Sequence, residues 1–349
     1  MALLPAFKFA SLRPVVPAVF RQHSQWVGMC GIWGGVLLAL CLVASSANAA
    51  PYPDRPVTIV VPFPAGGASD VLARQIGKQL EGALGQSFVA DNRTGAGGTV
   101  GAASAARAAP DGYTLVMGTN ASHAIAATMH RSLRYDPLKD FAPITLVAHV
   151  PQILMVHPSV PVSNVQELIA LAQKNPGKLN FSSAGSGTPG HLGMELFKLM
   201  AKIDMVHVPF QGGSPALLAL AGGQVQVLAD NVNSALPMIK AGKVKPIAVT
   251  SAKRSAALPE LPTVAEQGLP GFDSGSWFGL FAPAGVSPAI IQRLNAEAIK
   301  ALENPEVRAA LAVQGAEAAA GTPEALTALM RSDIAKWGSV VQQIGLMAD

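Results

Sequence analysis

Val57-Thr58-Ile59-Val60-Val61-Pro62-Phe63-Pro64-Ala65-Gly66-Gly67-Ala68-Ser69-Asp70 passes from a β-branched run through a Pro/Gly loop to the start of a helix. Pro62 ends the strand, because proline has no N–H to give to a sheet ladder. Ser69 or Asp70 is placed to cap a helix over 71–84, where Leu72, Ile76, Leu80 and Leu84 share one face. The same order recurs twice. Asn92-Arg93-Thr94-Gly95-Ala96-Gly97-Gly98-Thr99 follows the short strand Phe88-Val89-Ala90 and opens an alanine-rich helix over 98–108. Ser183-Ala184-Gly185-Ser186-Gly187-Thr188-Pro189-Gly190-His191 follows a strand over 179–182 and opens a helix over 189–201. Glycine lets backbone N–H groups turn toward a ligand, and a helix N-terminus carries partial positive charge. Each loop can therefore hold an anion without a lysine or arginine. Tight turning alone explains one glycine loop; three of them at the carboxyl ends of strands point to an anion cleft.

The alternation continues along the chain. A turn at Asp111-Gly112 leads to a strand over 113–117. Residues 144–156 are extended and carry Pro151, as a strand crossing between two units would. Ser163, with Gln166 in the capping-box position, starts a helix that runs to about Lys174. Strands follow over 205–208, 225–228 and 245–250, and another extended run covers 277–281. Helices over 288–302, 305–313 and 323–344 complete the pattern. In the last of these, Leu326, Met330, Ile334, Trp337 and Val341 stand at helical spacing, a face for packing against the first unit. Alternating β and α elements predict an α/β protein of two units, each a parallel-rich sheet covered on both faces, with crossings near 150 and 277.

Half of the 349 residues are hydrophobic and only 13% are charged, which excludes a disordered chain. Residues 1–49 hold three of the 25 basic residues, Lys8, Arg13 and Arg21, and no acid, leaving 22 basic against 21 acidic residues in the remainder. A body so close to neutral has no basic footprint for nucleic acid. The first 49 residues read as a secretory signal: basic residues, an uncharged apolar stretch around 32–44, then Ala47-Asn48-Ala49 as an A-x-A cleavage site. An uncleaved anchor is the alternative, but the run is short of the roughly 20 residues a span requires. Both cysteines, Cys30 and Cys41, fall in this leader, so a chain cut after Ala49 forms no disulfide and no thiolate metal site. The expected location is the periplasm.

No G-x-G-x-x-G opens a helix and no P-loop lysine is present, so a nucleotide cofactor is not expected. There is no G-x-S-x-G elbow and no paired histidine spacing for a metal. For a hydrolase, His191 would need Ser186 or Thr188 as its nucleophile, and no third orienting group accompanies them. Arg93 either clamps a carboxylate or pairs with Asp91 or Asp70. Asp230 and Asn231, at a strand end, either hydrogen-bond a ligand or cap a turn. Trp277 and Phe278, at the second crossing, are expected in a core.

These motifs, in order, resemble the Bug family, the extracytoplasmic solute-binding proteins of tripartite tricarboxylate transporters. The resemblance is carried by Pro62–Gly67 with Asp70, Asp91-Asn92-Arg93 with Gly95–Gly98, and Asp111–Leu115. It continues through Gly185-Ser186-Gly187 with His191-Leu192, Val208-Pro209-Phe210 with Gly212, and Phe278–Gly285, and covers the chain from about Tyr52 onward. It implies a two-lobed periplasmic binding-protein fold (type II-like), each lobe a sheet flanked by helices, with the ligand cleft between lobes. It further implies contacts from Phe63, Ala65, Gly66, Gly67 and Ser69 on one side, with Gly97 in the second glycine loop, and from Ser186, Gly187, Thr188 and Asp230 on the other. The chain departs from the family at Phe210-Gln211, where Tyr-Lys is common, and at Gln226, where Asp is common.

The resulting expectation is a non-catalytic receptor with no cofactor or metal, binding a small organic acid and partnering membrane permease subunits. A sensor kinase is the alternative partner, with the same fold. The expected division is 1–49 signal peptide, 50–150 first lobe, 151–276 second lobe and 277–349 returning to the first, in a monomer.

Overall fold

The computed structural model describes residues 52–346. The leader, its cleavage site and both cysteines lie outside the described residues.

The quoted segment forms β1 (Val57–Val61) and α1 (Ala68–Leu84). In β1, Val57, Ile59 and Val61 join one hydrophobic cluster while Val60 joins another across the sheet. That is the signature of a strand covered on both faces. Next come β2 (Phe88–Asn92), a 3₁₀ turn over Ala96–Gly98, α2 (Thr99–Ala106) and β3 (Thr114–Thr119). A π-helical turn over Ala121–Ile125 runs into α3 (Ala126–Met129). Then the chain extends for 16 residues as β4 (Phe141–Val156).

The second half begins with α4 (Val165–Lys174), β5 (Asn180–Ser183), α5 (Pro189–Ala201), β6 (Val206–Pro209) and α6 (Gly213–Ala221). It continues with β7 (Val227–Asn231), α7 (Val232–Lys240) and β8 (Lys245–Val249). Finally β9 (Gly275–Pro283), α8 (Pro288–Glu303), α9 (Pro305–Val313), β10 (Glu317–Ala318) and α10 (Pro323–Ile344) return to the first half.

Ten strands run in the order β2-β1-β3-β9-β4-β7-β5-β6, with β10 and β8 also paired to β4. Strand β4 belongs to both lobes. Its residues from Phe141 to Pro151 pair with β9, and those from Gln152 to Val156 pair with β7. Pro151 sits where the partner changes, a place where a missing N–H costs no ladder bond. The second crossing is pinned close by, where Thr250 N–H donates to Gln152 O at 2.9 Å and Ser274 N–H donates to Thr250 O at 2.8 Å.

The sheets are less parallel than the alternation predicts. Pairs β1–β2, β1–β3, β5–β6 and β5–β7 are parallel, but β9, β4 and β8 join antiparallel. The long strands that pass between lobes must enter each sheet from the far end, which reverses their direction.

Two expected caps are corrected. Gly67, not Ser69 or Asp70, is the cap residue of α1, because the Asp70 carboxylate reaches back to the Gly66 N–H instead. Asn164, not Ser163, caps α4: its Oδ1 accepts from Glu167 N–H, and Glu167 Oε2 accepts from Ser163 N–H. The capping box is there, one residue later than expected, with Glu167 in place of Gln166.

Each lobe has two apolar layers, one on either side of its sheet. A fifth cluster joins the lobes: Ile125 and Met129 meet Leu192 of α5 and Trp337, Val340 and Val341 of α10. The apolar face expected on the last helix thus packs on both lobes. Trp337 is 1% exposed, so this joint is as dry as a core.

Candidate functional site

A cavity of about 190 Å³ lies where the two lobes meet. Its size is below the ~300 Å³ lower end of drug-sized pockets and suits a small metabolite. The first lobe contributes Phe63, Pro64, Ala65, Gly67, Ala68 and Ser69, with Thr119 and Asn120 from the end of β3. The second lobe contributes Ala184, Thr188, Pro189 and Gly190, the turn Gly212–Pro215, and Ala229, Asp230, Asn231 and Ser234. Gln152, Ser276 and Phe278, from the crossing strands, complete the wall. Among the described residues no lysine or arginine lines it.

Four helices begin at this cavity, and none has a side-chain cap. The cap residues of α1, α5, α6 and α7 are Gly67, Thr188, Gly212 and Asn231, and no side chain accepts from their first turns. Of the helices that begin elsewhere, α4, α8, α9 and α10 are capped, by Asn164, Ser287, Asn304 and Thr322, whereas α2 and α3 are not. The first N–H groups of a helix have no partner inside it. At Ala68 and Ser69, at Gly190, and at Gly213 and Ser214, those donors stand in the cavity wall. The helix starts add partial positive charge. Gly67 and Gly212 have no side chain to cap with, while Thr188 Oγ1 donates to Gly185 O and Asn231 Oδ1 accepts from Ser276 Oγ instead.

The loops are held from behind. Asp70 accepts from Gly66 N–H at 2.9 Å and from Arg74 Nε at 3.0 and 3.1 Å. Asn92 Nδ2 donates to Phe63 O at 2.9 Å. Burial pushes the Asp70 carboxyl up, but hydrogen bonds from Arg74, Gly66 and Asn92 outweigh it and hold it below the usual range. In the second lobe, Gly187 N–H donates to His191 Nδ1 at 3.1 Å. The His191 ring stacks on His207 with centroids 3.8 Å apart, and Ser183 Oγ lies 2.6 Å from His207 Nε2. Burial, with His207 and Lys198 nearby, pushes His191 down to about 3; burial and Lys198 push His207 down to about 4. Both rings are neutral at pH 7, which leaves Nδ1 of His191 free to accept.

The loops also approach each other across the cleft. Gly97, at φ +64°, sits so close to the Ser186 carbonyl that a β-carbon there would come within 3.0 Å of it. Gly187, at φ +76°, faces Met129 in the same way, at 3.0 Å from its sulfur. Both positions need glycine for backbone angle and for space.

Asp230, Asn120 and Asn231 add polar side chains to the lining. Asp230 is 5% exposed; its Oδ1 accepts from Asn231 N–H and its Oδ2 lies 2.9 Å from Ser234 Oγ. No cation pairs with it among the described residues, and burial raises its carboxyl above the usual range against those two hydrogen bonds. Asn120 is fixed by donating from Nδ2 to Gly275 O at 2.8 Å. Asn231 Oδ1 accepts from Ser276 Oγ at 2.8 Å.

Of the ten expected contact residues, Phe63, Ala65, Gly67, Ser69, Thr188 and Asp230 stand in the cavity wall. Gly66, Gly97, Ser186 and Gly187 stand behind it or at its rim: the amides of Gly66 and Gly187 serve Asp70 and His191, and Gly97 meets Ser186. Arg93 pairs with Asp91 at 2.8 Å and touches Ser104, away from the cavity. Trp277 is core and donates to Asp333, while Phe278 lines the cavity. Sequence reasoning missed Asn120, Gln152, Ser214 and Ser276. The first lies just past a strand end and the second just past Pro151, and those were the available signals. The pairing of Ser186 with His191 does not form a reactive unit, since Ser186 is exposed on its loop and His191 Nδ1 serves Gly187.

Comparison with known proteins agrees with this architecture. The family model described as tripartite tricarboxylate transporter family receptor, TctC, matches residues 72–346. An R. palustris protein solved with adipate is 40% identical and superposes with a TM-score of 0.82, over 84% of this chain and 98% of its own. MatC of Rhodopseudomonas palustris, solved with bound malate, is 38% identical with a TM-score of 0.78, over 83% of this chain and 100% of its own. The periplasmic binding protein BugD is 34% identical with a TM-score of 0.79, over 85% and 100%. The two-lobed fold, the uncapped helix starts facing one cleft and these likenesses converge: the chain belongs to the tripartite tricarboxylate transporter receptor family, a family of periplasmic solute receptors and not of enzymes.

Proposed function

We propose that this protein captures a small organic carboxylate in the cleft and presents it to the membrane permease subunits of a tripartite tricarboxylate transporter. The observation that carries the reading is the set of uncapped helix starts at the cleft, where no side chain among the described residues accepts from the first N–H donors. Relatives solved with adipate and with malate support a carboxylate as the guest. Phe63, Ala65, Gly67, Ser69, Thr188 and Asp230 make the contacts, with Gly66, Gly97, Ser186 and Gly187 shaping the loops that present them. Closure removes water and strengthens each hydrogen bond to the bound oxygen atoms. A dissociation constant of roughly micromolar, about −8 kcal/mol, suits capture followed by release.

Titration calorimetry against a panel of carboxylates and neutral sugars tests the reading. Carboxylates are expected to bind and sugars not; binding of sugars alone overturns it. Residues 50–150 and 277–349 form the first lobe and 151–276 the second, in a monomer exported through residues 1–49 and cut after Ala49. The intact mass of the periplasmic protein checks that cut, and its elution volume checks the monomer.

A further inference from the structure

The starts of α1 and α5 are built on one plan. In each, the third residue of the helix accepts the loop N–H four residues back: Asp70 from Gly66 at 2.9 Å, and His191 Nδ1 from Gly187 at 3.1 Å. Each bond brackets three residues, Gly67-Ala68-Ser69 in one lobe and Thr188-Pro189-Gly190 in the other, and all six line the cavity. The anchors themselves are buried behind that wall. Each therefore fixes a stretch of wall from the rear and leaves the first N–H groups of its helix to the cleft. A carboxylate accepts through either oxygen, but a neutral imidazole accepts at one nitrogen and carries its proton on the other. The Gly187 N–H at Nδ1 puts the His191 proton on Nε2, which lies 3.9 Å from Glu195 Oε1. The ring is clamped by its stack on His207, and His207 stacks in turn on Phe181 with centroids 4.8 Å apart. The anchored loop is also where the second lobe meets the first, with the Ser186 carbonyl against Gly97 and Gly187 against Met129.

We propose that His191 is a positioning residue for ligand binding: its Nδ1, as an acceptor, sets the Thr188–Gly190 wall and the loop surface that meets Gly97 and Met129, without touching the ligand. The inference rests on the carboxylate reading above for the guest, and on the bracket itself for the residue. It makes the second-lobe wall depend on which nitrogen of one ring is bare. With a proton on Nδ1, two N–H groups would face each other, the loop would lose its anchor, and the wall residues would lose their fixed aim at the guest.

Two variants separate the acceptor from the ring. His191→Asn keeps an oxygen the same number of bonds from the backbone as Nδ1 and removes the ring; His191→Phe keeps the ring and removes the acceptor. With adipate and malate as probes in titration calorimetry, His191→Phe is expected to lose about tenfold in affinity, and His191→Asn to recover it to within about threefold of wild type. Melting curves establish that each variant is folded. The reverse order, with His191→Phe binding like wild type and His191→Asn not, overturns the inference, because the ring then serves packing alone. The wild-type protein gives a second measurement that needs neither variant nor ligand. Nitrogen NMR of its imidazoles at pH 7 is expected to show a bare Nδ1 and a protonated Nε2 on His191, with slow hydrogen exchange at the Gly187 amide. A protonated Nδ1, or free exchange at that amide, overturns the inference and leaves the carboxylate reading standing. Failure of both acids to bind the wild-type protein counts against the carboxylate reading, and the ring and amide signals then decide this inference by themselves.

Discussion

Asp70 and Asp230 both stand where the chain enters a helix beside the cleft, and both are nearly fully buried, at 4% and 5% exposure. Their surroundings are opposite. Asp70 is tied to Arg74 and to the Gly66 N–H, and is held in its ionised form. Asp230 has one N–H and one hydroxyl for company, no cation, and a carboxyl raised by burial. In the first lobe the acid is spent inside the protein to set a loop. In the second, among the described residues, no cation engages it. The same side chain is held ionised where an arginine stands at i+4 and is raised by burial where a serine does.

Breaking the scaffold acid gives the largest expected effect. Asp70→Ala strands Arg74 and the Gly66 N–H and is expected to cost about 2–3 kcal/mol at pH 7, read from urea midpoints. The folded-state carboxyl lies below its unfolded value, so this stability is present above the unfolded pKa and is lost as pH falls through the lowered folded one. The gap between variant and wild type is therefore expected to close in strong acid.

The second-lobe loop depends on a neutral imidazole instead. His191→Phe keeps a ring on His207 but leaves Gly187 N–H without an acceptor, at an expected cost of about 1–3 kcal/mol. With the folded pKa pushed down to about 3, unfolding takes up a proton between that value and the ordinary one near 6.5. Wild-type stability is full above that window and falls across it, by about 1.4 kcal/mol per pH unit for each such histidine. The variant is expected to lose one proton's worth of that slope.

Filling the space between the loops comes next. Gly97→Val forces a positive φ on a β-branched residue and drives a side chain toward Ser186. About a tenfold loss of ligand affinity is expected, with a smaller change in melting temperature. The smallest effect belongs to Asp230. Asp230→Asn is expected to stabilise the empty protein by about 1 kcal/mol at pH 7, because an uncompensated buried charge is removed. Its folded carboxyl lies above the unfolded value, so wild-type stability is fuller below the unfolded pKa and declines as pH rises through the folded one. The gain is thus expected to vanish near pH 3. An Asp230→Asn protein less stable than wild type at pH 7 would erase the contrast between the two acids.

Much of the fold was legible because local signals marked it. The helices over 305–313 and 323–344 begin where proline follows Asn304 or Thr322, and the structure places them on the same bounds. The glycine loops were legible for the same reason. What escaped depended on distance. Asn120 and Gln152 come to line the cavity only when β3, β4 and β9 lie side by side, and no local pattern reports that. The Gly67 cap of α1 was hidden because Asp70 looked like a cap while its carboxylate was engaged by Arg74 and Gly66. The antiparallel entry of β9 and β4 follows from the crossing itself, which alternation of elements does not encode.

Strand β4 runs unbroken from one sheet into the other, with Pro151 and Gln152 at the change of partner. Rocking of the lobes must therefore be taken up as bend and twist in shared backbone, with no slack tether to absorb it. The strand behaves as a leaf spring whose midpoint also lines the cleft. A displacement at Gln152 is carried directly into both sheets.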